Sequence, residues 1–324
     1  MSGAPLVAVD GGNSKTDVAV LTADGRLLAT GRGGAFRPQL DGVGPAVAEL
    51  AVVVDDALRR AGVRAGEVAL LTACLAGADL PEEEAVLEKA LLERRWTGSV
   101  HVANDTFALL RTGAAAGWGV AVVCGAGINC VGVGPDGALA RFPALGRITG
   151  DWGGGASLSE AVMWHAVRAE DGRGPGTALA AAAAAHFGLD RATDVALAVH
   201  AGTLPERRLL ELVPVLLDVA DQGDPAAEGI VARQAGEIVL LGVGALRRLG
   251  LLETPAEVVL GGGVLRARRP VLMEPVAEGF AREAPHARLV VAEAPPILGA
   301  ALLALDRHGA PAGAETALRA AYHA

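Results

Sequence analysis

The chain has 324 residues, of which 52% are hydrophobic, 3% aromatic and 20% charged, and its formal net charge is -9. The apolar fraction excludes global disorder, and the length predicts about two domains. The acidic balance, with no basic stripe along the sequence, argues against nucleic acid as a partner.

The cysteines and the N-terminus bear on where the protein resides. Cys74, Cys124 and Cys130 form an odd set at irregular spacing, which indicates a reducing compartment rather than a disulfide framework. The first residues lack the basic region of a signal peptide, and no apolar run reaches the roughly 18 residues of a membrane span. We therefore expect a cytoplasmic protein with no membrane partner.

The N-terminal third alternates short apolar runs with turns and helical segments. Residues 5–30 predict three antiparallel strands, because Asp24-Gly25 between apolar runs is a hairpin signal. A glycine-rich loop, Asp10–Asp17, joins the first two strands. The periodicity then predicts helices at 47–61, 81–95 and 104–111 and strands at 68–74 and 99–103.

The opening pattern recurs roughly 110 residues later. Strand, glycine-rich loop, strand, Asp-Gly turn and strand occur again over 120–141, with the loop at 124–130. A diverged duplication explains the repeat, and we expect one domain at 1–112 and a second at 113–297. The C-terminal residues, 298–324, are expected to form a helix that packs back on the first domain.

The rest of the chain also mixes helical and strand patterns. Their alternation predicts an α/β fold. The predicted helices are 156–170, 178–187, 205–220, 224–248, 270–283 and 297–307, and the predicted strands are 257–260 and 288–292.

The first glycine-rich loop has the composition of an anion-binding site. Glycines let backbone N–H groups approach an anion closely, and Ser14, Lys15 and Thr16 add donors. The chain leaves this loop as a strand and lacks the G-x(4)-G-K-[ST] spacing, so the loop is not a Walker P-loop. A polar hairpin turn is the alternative interpretation.

Two later glycine segments favour phosphate and nucleotide binding. Gly125 and Gly127 lie in the second loop, and two such loops facing each other across a cleft would hold an oligophosphate from both sides. Gly261–Gly263 follows a strand and precedes a helix, a position typical of nucleotide contacts. Each segment also fits a tight turn or a flexible strand exit.

Two acidic segments are candidates for substrate chemistry. Asp105 follows Asn104 where a strand changes into a helix, so it is either an N-cap or a base that orients a hydroxyl for attack on a phosphoryl group. Asp151 and Trp152 lie in the glycine-rich segment 150–155, which suits a polyol ligand. A helix cap with a core tryptophan is the alternative for that segment.

Taken in their order along the chain, these five motifs resemble those of the actin/hexokinase/Hsp70 ATPase superfamily. Within it, the chain resembles the BadF/BadG-type ATPase family and its amino-sugar kinase branch, the N-acetylglucosamine kinases, from Val7 to Pro296–Ala300. The resemblance implies an α/β fold of duplicated actin-like (ribonuclease H-like) ATPase domains around a central cleft. It also implies ATP and Mg²⁺ as cofactors, a small-molecule sugar as substrate and a homodimer.

The resemblance assigns roles to particular residues of this chain. Asp105 is expected to be the catalytic base, and Asp10 is expected to hold Mg²⁺ through water. The implied ATP-binding residues are Gly11, Gly12, Asn13, Ser14, Lys15, Thr16, Gly125, Ala126, Gly127, Gly261, Gly262 and Gly263. The implied substrate-binding residues are Gln39, Gly77, Asn104, Asp105, Asn129, Gly150, Asp151 and Trp152.

Three positions depart from the family pattern. Asn13 stands where the first phosphate loop usually has a third glycine, and Ala126 stands where the second usually has a hydroxyl. The acceptor loop usually presents an Asn, for which Gln39 is the substitute in this chain. Of all that the resemblance implies, the identity of the sugar is therefore the property that these residues determine least.

The resemblance implies a sugar kinase that transfers phosphate from ATP to N-acetylglucosamine or glucosamine, at the 6-hydroxyl. One alternative is the ATPase activator of a 2-hydroxyacyl-CoA-type dehydratase or reductase, whose relatives share an iron–sulfur cluster between subunits. None of the three cysteines matches the cluster positions. The other alternative is a non-catalytic sugar or nucleotide sensor.

Overall fold

The computed structural model describes residues 3–323, and the chain forms two compact units. The first comprises the described residues up to Ala121 together with those from Ala292 onward. The second is Val122–Val291.

A five-stranded mixed sheet forms the centre of the first unit. Its strands are β1 (Pro5–Gly11), β2 (Thr16–Thr22), β3 (Leu27–Gly33), β4 (Leu70–Leu75) and β5 (Val100–Asn104). They are ordered β3-β2-β1-β4-β5. The pairs β1–β2 and β2–β3 are antiparallel, as the hairpin signal predicts, whereas β1–β4 and β4–β5 are parallel.

Helices cover both faces of this sheet. They are α1 (Pro38–Asp41), α2 (Val43–Ala61), α3 (Pro81–Leu92), α4 (Asp105–Gly113), α12 (Pro296–His308) and α13 (Ala314–His323). Successive strand residues point to opposite faces, so Val7 and Val9 of β1 pack into the core built with α2 and α3. Leu6 and Ala8 pack into the core built with α4, α12 and α13.

The second sheet repeats the strand order of the first. Its strands are β6 (Gly119–Cys124), β7 (Ile128–Val133), β8 (Leu139–Arg141), β9 (Glu257–Gly261) and β10 (Arg288–Val291). Their order, β8-β7-β6-β9-β10, matches that of the first sheet strand for strand, which supports the internal duplication. The helices of the second unit are α5 (Gly154–Glu170), α6 (Leu179–His186), α7 (Ala192–His200), α8 (Leu212–Asp221), α9 (Pro225–Arg248), α10 (Gly263–Arg266) and α11 (Pro270–Glu283).

One predicted helix divides into two segments in the structure. The pattern predicts a continuous helix over 205–220, but Glu206–Glu211 is a 3₁₀ helix and α8 begins at Leu212. Pro214 explains the division, because proline has no N–H for the preceding turn and is tolerated only in the first turn of a helix. The helix α7 has no counterpart among the predicted elements, and the helix predicted over 298–324 is divided into α12 and α13.

Close packing and ion pairs fix α4 against the C-terminal helices. A Cβ placed on Gly299 of α12 would lie 1.8 Å from the carbonyl oxygen of Ala108, so the two helix backbones are in contact. Arg111 of α4 is 8% exposed. Its guanidinium donates to Asp306 at 2.7 Å and to Glu315 at 2.6 Å. The helix α4, which begins at Asp105, is therefore held against α12 and α13.

Acidification is expected to weaken this support by protonating Glu315. Hydrogen bonds from Arg111, and then from Arg319, lower the pKa of Glu315 to about 2 against the opposing effect of burial. Because an unfolded Glu titrates at about 4.3, the stabilisation is fully present above that pH and is lost as the pH falls towards 2. Glu315→Gln should lower Tm at neutral pH by about 2 °C and flatten the acid dependence.

Thermal unfolding followed by circular dichroism between pH 7 and pH 3 measures this effect. Glu274→Gln, on the exposed side of α11, is the matched control and should follow the wild type at every pH. If Glu315→Gln and the wild type lose the same Tm on acidification, the ion pair does not contribute to stability.

Candidate active site

Asp10 lies at the end of β1 on the same face as Leu6 and Ala8. It is 8% exposed, and its register partners are Asp17 on β2 and Cys74 on β4. Burial, and then the negative charge of Asp105, raise the pKa of Asp10 to about 7. A nearby cation would favour the charged form of this carboxylate.

Asp105 is the first residue of α4 and is partly buried. Burial raises the pKa of its carboxyl to about 6, although the backbone N–H of Thr106 stabilises the charged form. Its charge is felt at Asp10, so the two carboxylates belong to one electrostatic cluster. A carboxylate with a pKa near 6 can accept a proton at physiological pH.

Asn104, rather than Asp105, is the N-cap of α4. Its Oδ1 accepts from the backbone N–H of Thr106 at 3.0 Å and from the Thr106 hydroxyl at 2.6 Å. Its Nδ2 donates to Asp79 at 2.8 Å. Of the two interpretations of this dipeptide, the cap therefore applies to Asn104. Asp79 is a member of this cluster that the sequence analysis missed.

The first glycine-rich loop is a tight turn between β1 and β2. The backbone N–H of Gly12 donates to the carbonyl of Lys15 at 2.9 Å, and its own carbonyl accepts from Phe36 at 2.9 Å. A Cβ on Gly11 would lie 2.7 Å from the Leu75 side chain, so a side chain is excluded there. Asn13 and Ser14 are exposed at the tip of the turn, where their polar groups face solvent.

The cationic donor of this loop has a partner within the first unit. Lys15 forms an ion pair with Asp17, which also accepts from Arg32 at 2.6 Å. Thr16, the remaining predicted donor, is 3% exposed on β2. The ammonium group of Lys15 is thus held beside the carboxylate cluster, where it lowers the pKa of Asp10.

Gln39 and Gly77 are brought together although they are far apart in sequence. The Gln39 Nε2 donates to the Gly77 carbonyl at 2.8 Å. Gly77 has a φ of +75°, and a Cβ there would overlap the Gln39 carboxamide. The two predicted sugar contacts therefore form one local structure.

In the second unit, three glycine segments meet around the end of β6. The first two N–H groups after Gly154 in α5 donate to the loop, Gly155 to the Gly125 carbonyl at 2.7 Å and Ala156 to the Ala126 carbonyl at 2.9 Å. Gly262 has a φ of +88°, and a Cβ there would lie 2.3 Å from the Cys124 carbonyl oxygen. The predicted phosphate and adenosine segments are therefore packed against each other.

Gln234 supports this arrangement and was not predicted. Its Oε1 accepts from the backbone N–H of Gly154 at 2.8 Å, and the residue is 1% exposed. The signal was present in the sequence, because Gln234 is a polar residue on the buried side of α9, between Ile230 and Ile238. A buried polar side chain at such a position needs a hydrogen-bond partner.

The remaining predicted sugar contacts follow β6 along the chain. Asn129 accepts from the backbone N–H of Cys130 at 2.7 Å. Gly150 has a φ of +88° and leads into Asp151, which accepts from the Thr149 hydroxyl at 2.5 Å. Trp152 is 7% exposed and lies 4.0 Å beneath the Arg233 guanidinium, so its ring is a packing element of the second unit.

The donor set fits a cation that is shared with a phosphate ligand. Among residues 3–323, no group of three His, Cys, Asp or Glu side chains is placed to hold a metal by itself. Mg²⁺ needs only one or two protein carboxylates when substrate phosphates and water complete its shell. Asp10 is buried and has a raised pKa, which a bound cation would lower again. This carboxylate therefore meets that requirement.

Comparison with known proteins gives consistent results. The model of the BadF/BadG/BcrA/BcrD ATPase family matches residues 7–304. The chain is 25% identical over 328 residues to the N-acetyl-D-glucosamine kinase of Dictyostelium discoideum, covering 94% of this chain and 99% of that protein. It is 24% identical over 260 residues to the N-acetylmuramic acid/N-acetylglucosamine kinase of Clostridium acetobutylicum, covering 80% and 85%.

A solved structure confirms the fold class. A protein from Chromobacterium violaceum, provisionally described as an N-acetylglucosamine kinase, superposes with a TM-score of 0.73 at 23% identity. The match covers 94% of this chain and 100% of that one. The predicted α/β architecture is therefore confirmed.

Proposed function

The chain belongs to the BadF/BadG/BcrA/BcrD ATPase family, and from that premise we propose that it transfers phosphate from ATP to an amino sugar. N-acetylglucosamine or glucosamine is the acceptor, and the 6-hydroxyl is the attacking group. The two relatives, both named for N-acetylglucosamine kinase activity, support the substrate class. The observation that carries the proposal is Asp105, a carboxylate at the start of α4 with its pKa raised to about 6.

Different residues of this chain have separate roles in such a reaction. Asp105 accepts the proton of the sugar hydroxyl as the hydroxyl oxygen attacks the γ-phosphorus in line. The bond from the γ-phosphorus to the β–γ bridging oxygen breaks, and ADP leaves with that oxygen. Most of the remaining catalysis is positioning. Asp10 would hold the Mg²⁺ of the nucleotide, and the ion would supply neutralising charge. The two glycine loops and the segment Gly261–Gly263 bind ATP through their backbone N–H groups.

Sugar binding is assigned to polar groups that each have a local support. Gln39 and Gly77 form one pair of contacts, and Asn129 and Asp151 supply polar groups for sugar hydroxyls. Asn104 contributes by capping α4. A homodimer in the cytoplasm, without nucleic-acid or membrane partners, completes the proposal.

An ADP-release screen across amino sugars, hexoses and cyclitols tests the substrate class. N-acetylglucosamine or glucosamine is expected to give the highest kcat/KM, with N-acetylmuramic acid as a further candidate because one relative carries that name. Faster turnover of a cyclitol, or of a hexose without an amino or acetamido group, would contradict the assignment.

The pH dependence of turnover follows from the Asp105 carboxyl. Burial raises its pKa to about 6, and only the unprotonated form can act as a base. At saturating MgATP, kcat/KM for the sugar is therefore expected to level off above pH 6 and to fall by about tenfold per pH unit well below it. A profile that stays flat from pH 7 to pH 4 would rule out a carboxylate base.

The dehydratase-activator alternative finds little support in the cysteines. All three are buried, and burial raises the pKa of the Cys124 thiol to about 12. Burial likewise raises the pKa of Cys74 and Cys130 above the usual range. Thiols of this kind are poorly placed to become the thiolates that a shared iron–sulfur cluster requires.

A further inference from the structure

The loop between β4 and α3 spans residues 76–80 and contacts two segments that are assigned to ligand binding. The backbone N–H of Ala76 donates to the carbonyl of Gly11, in the first glycine-rich loop, at 2.6 Å. The Gly77 carbonyl accepts from the Gln39 carboxamide at 2.8 Å. We call residues 76–80 the β4–α3 loop. Its backbone therefore joins the proposed phosphate loop to a proposed sugar contact.

Asp79 is the one charged residue of the β4–α3 loop, and it contacts a third segment. Its Oδ1 accepts from the Nδ2 of Asn104, at the end of β5, at 2.8 Å. The backbone of Asp79 is held in turn, because its N–H and that of Leu80 each donate to the Glu83 carboxylate at 3.0 Å. Asp79 thus has a defined position from which it contacts the residue that precedes Asp105.

The carboxylate of Asp79 determines which way the Asn104 amide faces. Asn104 is 3% exposed, so the polar atoms of its amide need hydrogen-bond partners. Its Oδ1 faces α4, where it accepts from the N–H and from the hydroxyl of Thr106. A half-turn of the amide would place the donor Nδ2 against this N–H, and Oδ1 against an ionised carboxylate that can only accept. Both contacts of the amide therefore favour the same orientation.

The cap is coupled to the carboxyl group that is assigned as the base. Asp105 is the first residue of α4. Burial raises its pKa, whereas the backbone N–H of Thr106 lowers it by stabilising the charged form. The same N–H donates to Asn104. Reorientation of the Asn104 amide would therefore shift both the start of α4 and a group that stabilises the Asp105 carboxylate.

We propose that Asp79 is a positioning residue for the phosphoryl transfer, and that it acts on Asp105 through the amide of Asn104. The inference rests on the proposed function, since it concerns the base of that reaction. A misplacement of about 1 Å can lower a rate by about 10²-fold even when the mutated residue is remote from the chemistry. Because Asp79 acts on the base and not on the ligands, its loss should lower kcat and leave the KM values for ATP and for the sugar nearly unchanged.

Steady-state kinetics at pH 8, with the amino sugar that gives the highest turnover, test the proposal. Asp79→Ala should lower kcat by about 10-fold to 100-fold, while both KM values change by less than about threefold. Asp79→Asn keeps an oxygen that can accept from Asn104, so its kcat should stay within about threefold of the wild type. Glu82→Ala, at an exposed position in the first turn of α3, is the control and should keep the wild-type kcat.

Exchange of the two side chains tests the pairing itself. Asn104→Asp keeps an oxygen for the cap but places a second carboxylate against Asp79, so it should lower kcat by about 30-fold or more. In the double variant Asp79→Asn/Asn104→Asp, the introduced amide can donate to the introduced carboxylate. Its kcat should therefore exceed that of Asn104→Asp alone by at least about tenfold. Thermal unfolding of each variant identifies those that are folded, and the exchange still tests the pairing if Asp79→Ala does not fold.

The proposal would be overturned by a folded Asp79→Ala variant with the wild-type kcat, or by a double variant no more active than Asn104→Asp. Equal losses in Asp79→Asn and Asp79→Ala would do the same, and a raised KM for the sugar in both would assign the Asp79 charge to sugar binding instead. A wild type that releases ADP at the same rate with and without every sugar is a separate result. It would refute the proposed function itself, and the positioning role with it.

Discussion

Asp105→Asn is expected to lower kcat by about 10²-fold or more, the usual cost of removing a positioned general base. The amide is nearly isosteric with the carboxylate but cannot accept the proton of the sugar hydroxyl. Asn104 caps α4 independently of residue 105, so the helix start should be preserved. The loss should therefore appear in turnover rather than in folding.

Steady-state kinetics with the best amino sugar measure this loss, and calorimetric titration with ATP measures nucleotide binding. Affinity for ATP should change little, because the glycine loops are untouched. Asp41→Asn replaces an exposed carboxylate that pairs with Arg37, and it should leave kcat at the wild-type value. Unchanged turnover of Asp105→Asn would remove this residue from the role of base.

Gly299→Ala is expected to destabilise the protein by about 3 kcal/mol or more and to reduce kcat as well. A loss of stability is unusual for this substitution, because alanine normally stabilises a helix by about 1 kcal/mol relative to glycine. At this position the new Cβ would lie 1.8 Å from the Ala108 carbonyl and 2.4 Å from the Thr112 hydroxyl. The α12 and α4 backbones must separate, and α4 carries Asp105.

Gly44→Ala in α2 is the matched control, because a Cβ there has no heavy atom within 4 Å. It should be neutral or stabilising by up to about 1 kcal/mol. Urea unfolding monitored by tryptophan fluorescence, together with kcat on the folded variants, measures both effects. A Gly299→Ala variant as stable as the wild type would show that the α4–α12 contact is not close-packed.

Local sequence patterns were sufficient for the antiparallel hairpins and for most helices. The turn Asp24-Gly25 specifies β2–β3 through backbone conformation alone, and Gly25 indeed has a φ of +86°. The helix over 270–283 is predicted with the bounds that the structure shows. Information of this kind is contained within a few neighbouring residues.

The supports of the site depend on contacts between distant residues and were not predicted. Arg111 and Asp306 are 195 positions apart, and Gly154 and Gln234 are 80 positions apart. No local sequence motif marks either pair. An arginine on a helix usually faces solvent, so the sequence gives no sign that Arg111 is buried. Only the three-dimensional packing identifies Arg111 as the anchor of α4.

The sequence was ambiguous at Asn104 and Asp105, and the structure separates their roles. Either residue type is a good N-cap, so the spacing alone could not assign the cap. The backbone geometry places Asn104 outside the helix and Asp105 at its first position. The assignment of Asp105 as a base remains a proposal that rests on this separation, on burial and on the neighbouring Asp10.

Product analysis by phosphorus-31 NMR during ATP turnover tests the kinase assignment most directly. With the preferred amino sugar present, one phosphomonoester on the sugar 6-oxygen should appear for each ADP formed, and little inorganic phosphate should accumulate. Stoichiometric release of inorganic phosphate with no sugar ester, at a rate indifferent to the sugar, would contradict phosphoryl transfer and indicate an ATPase instead.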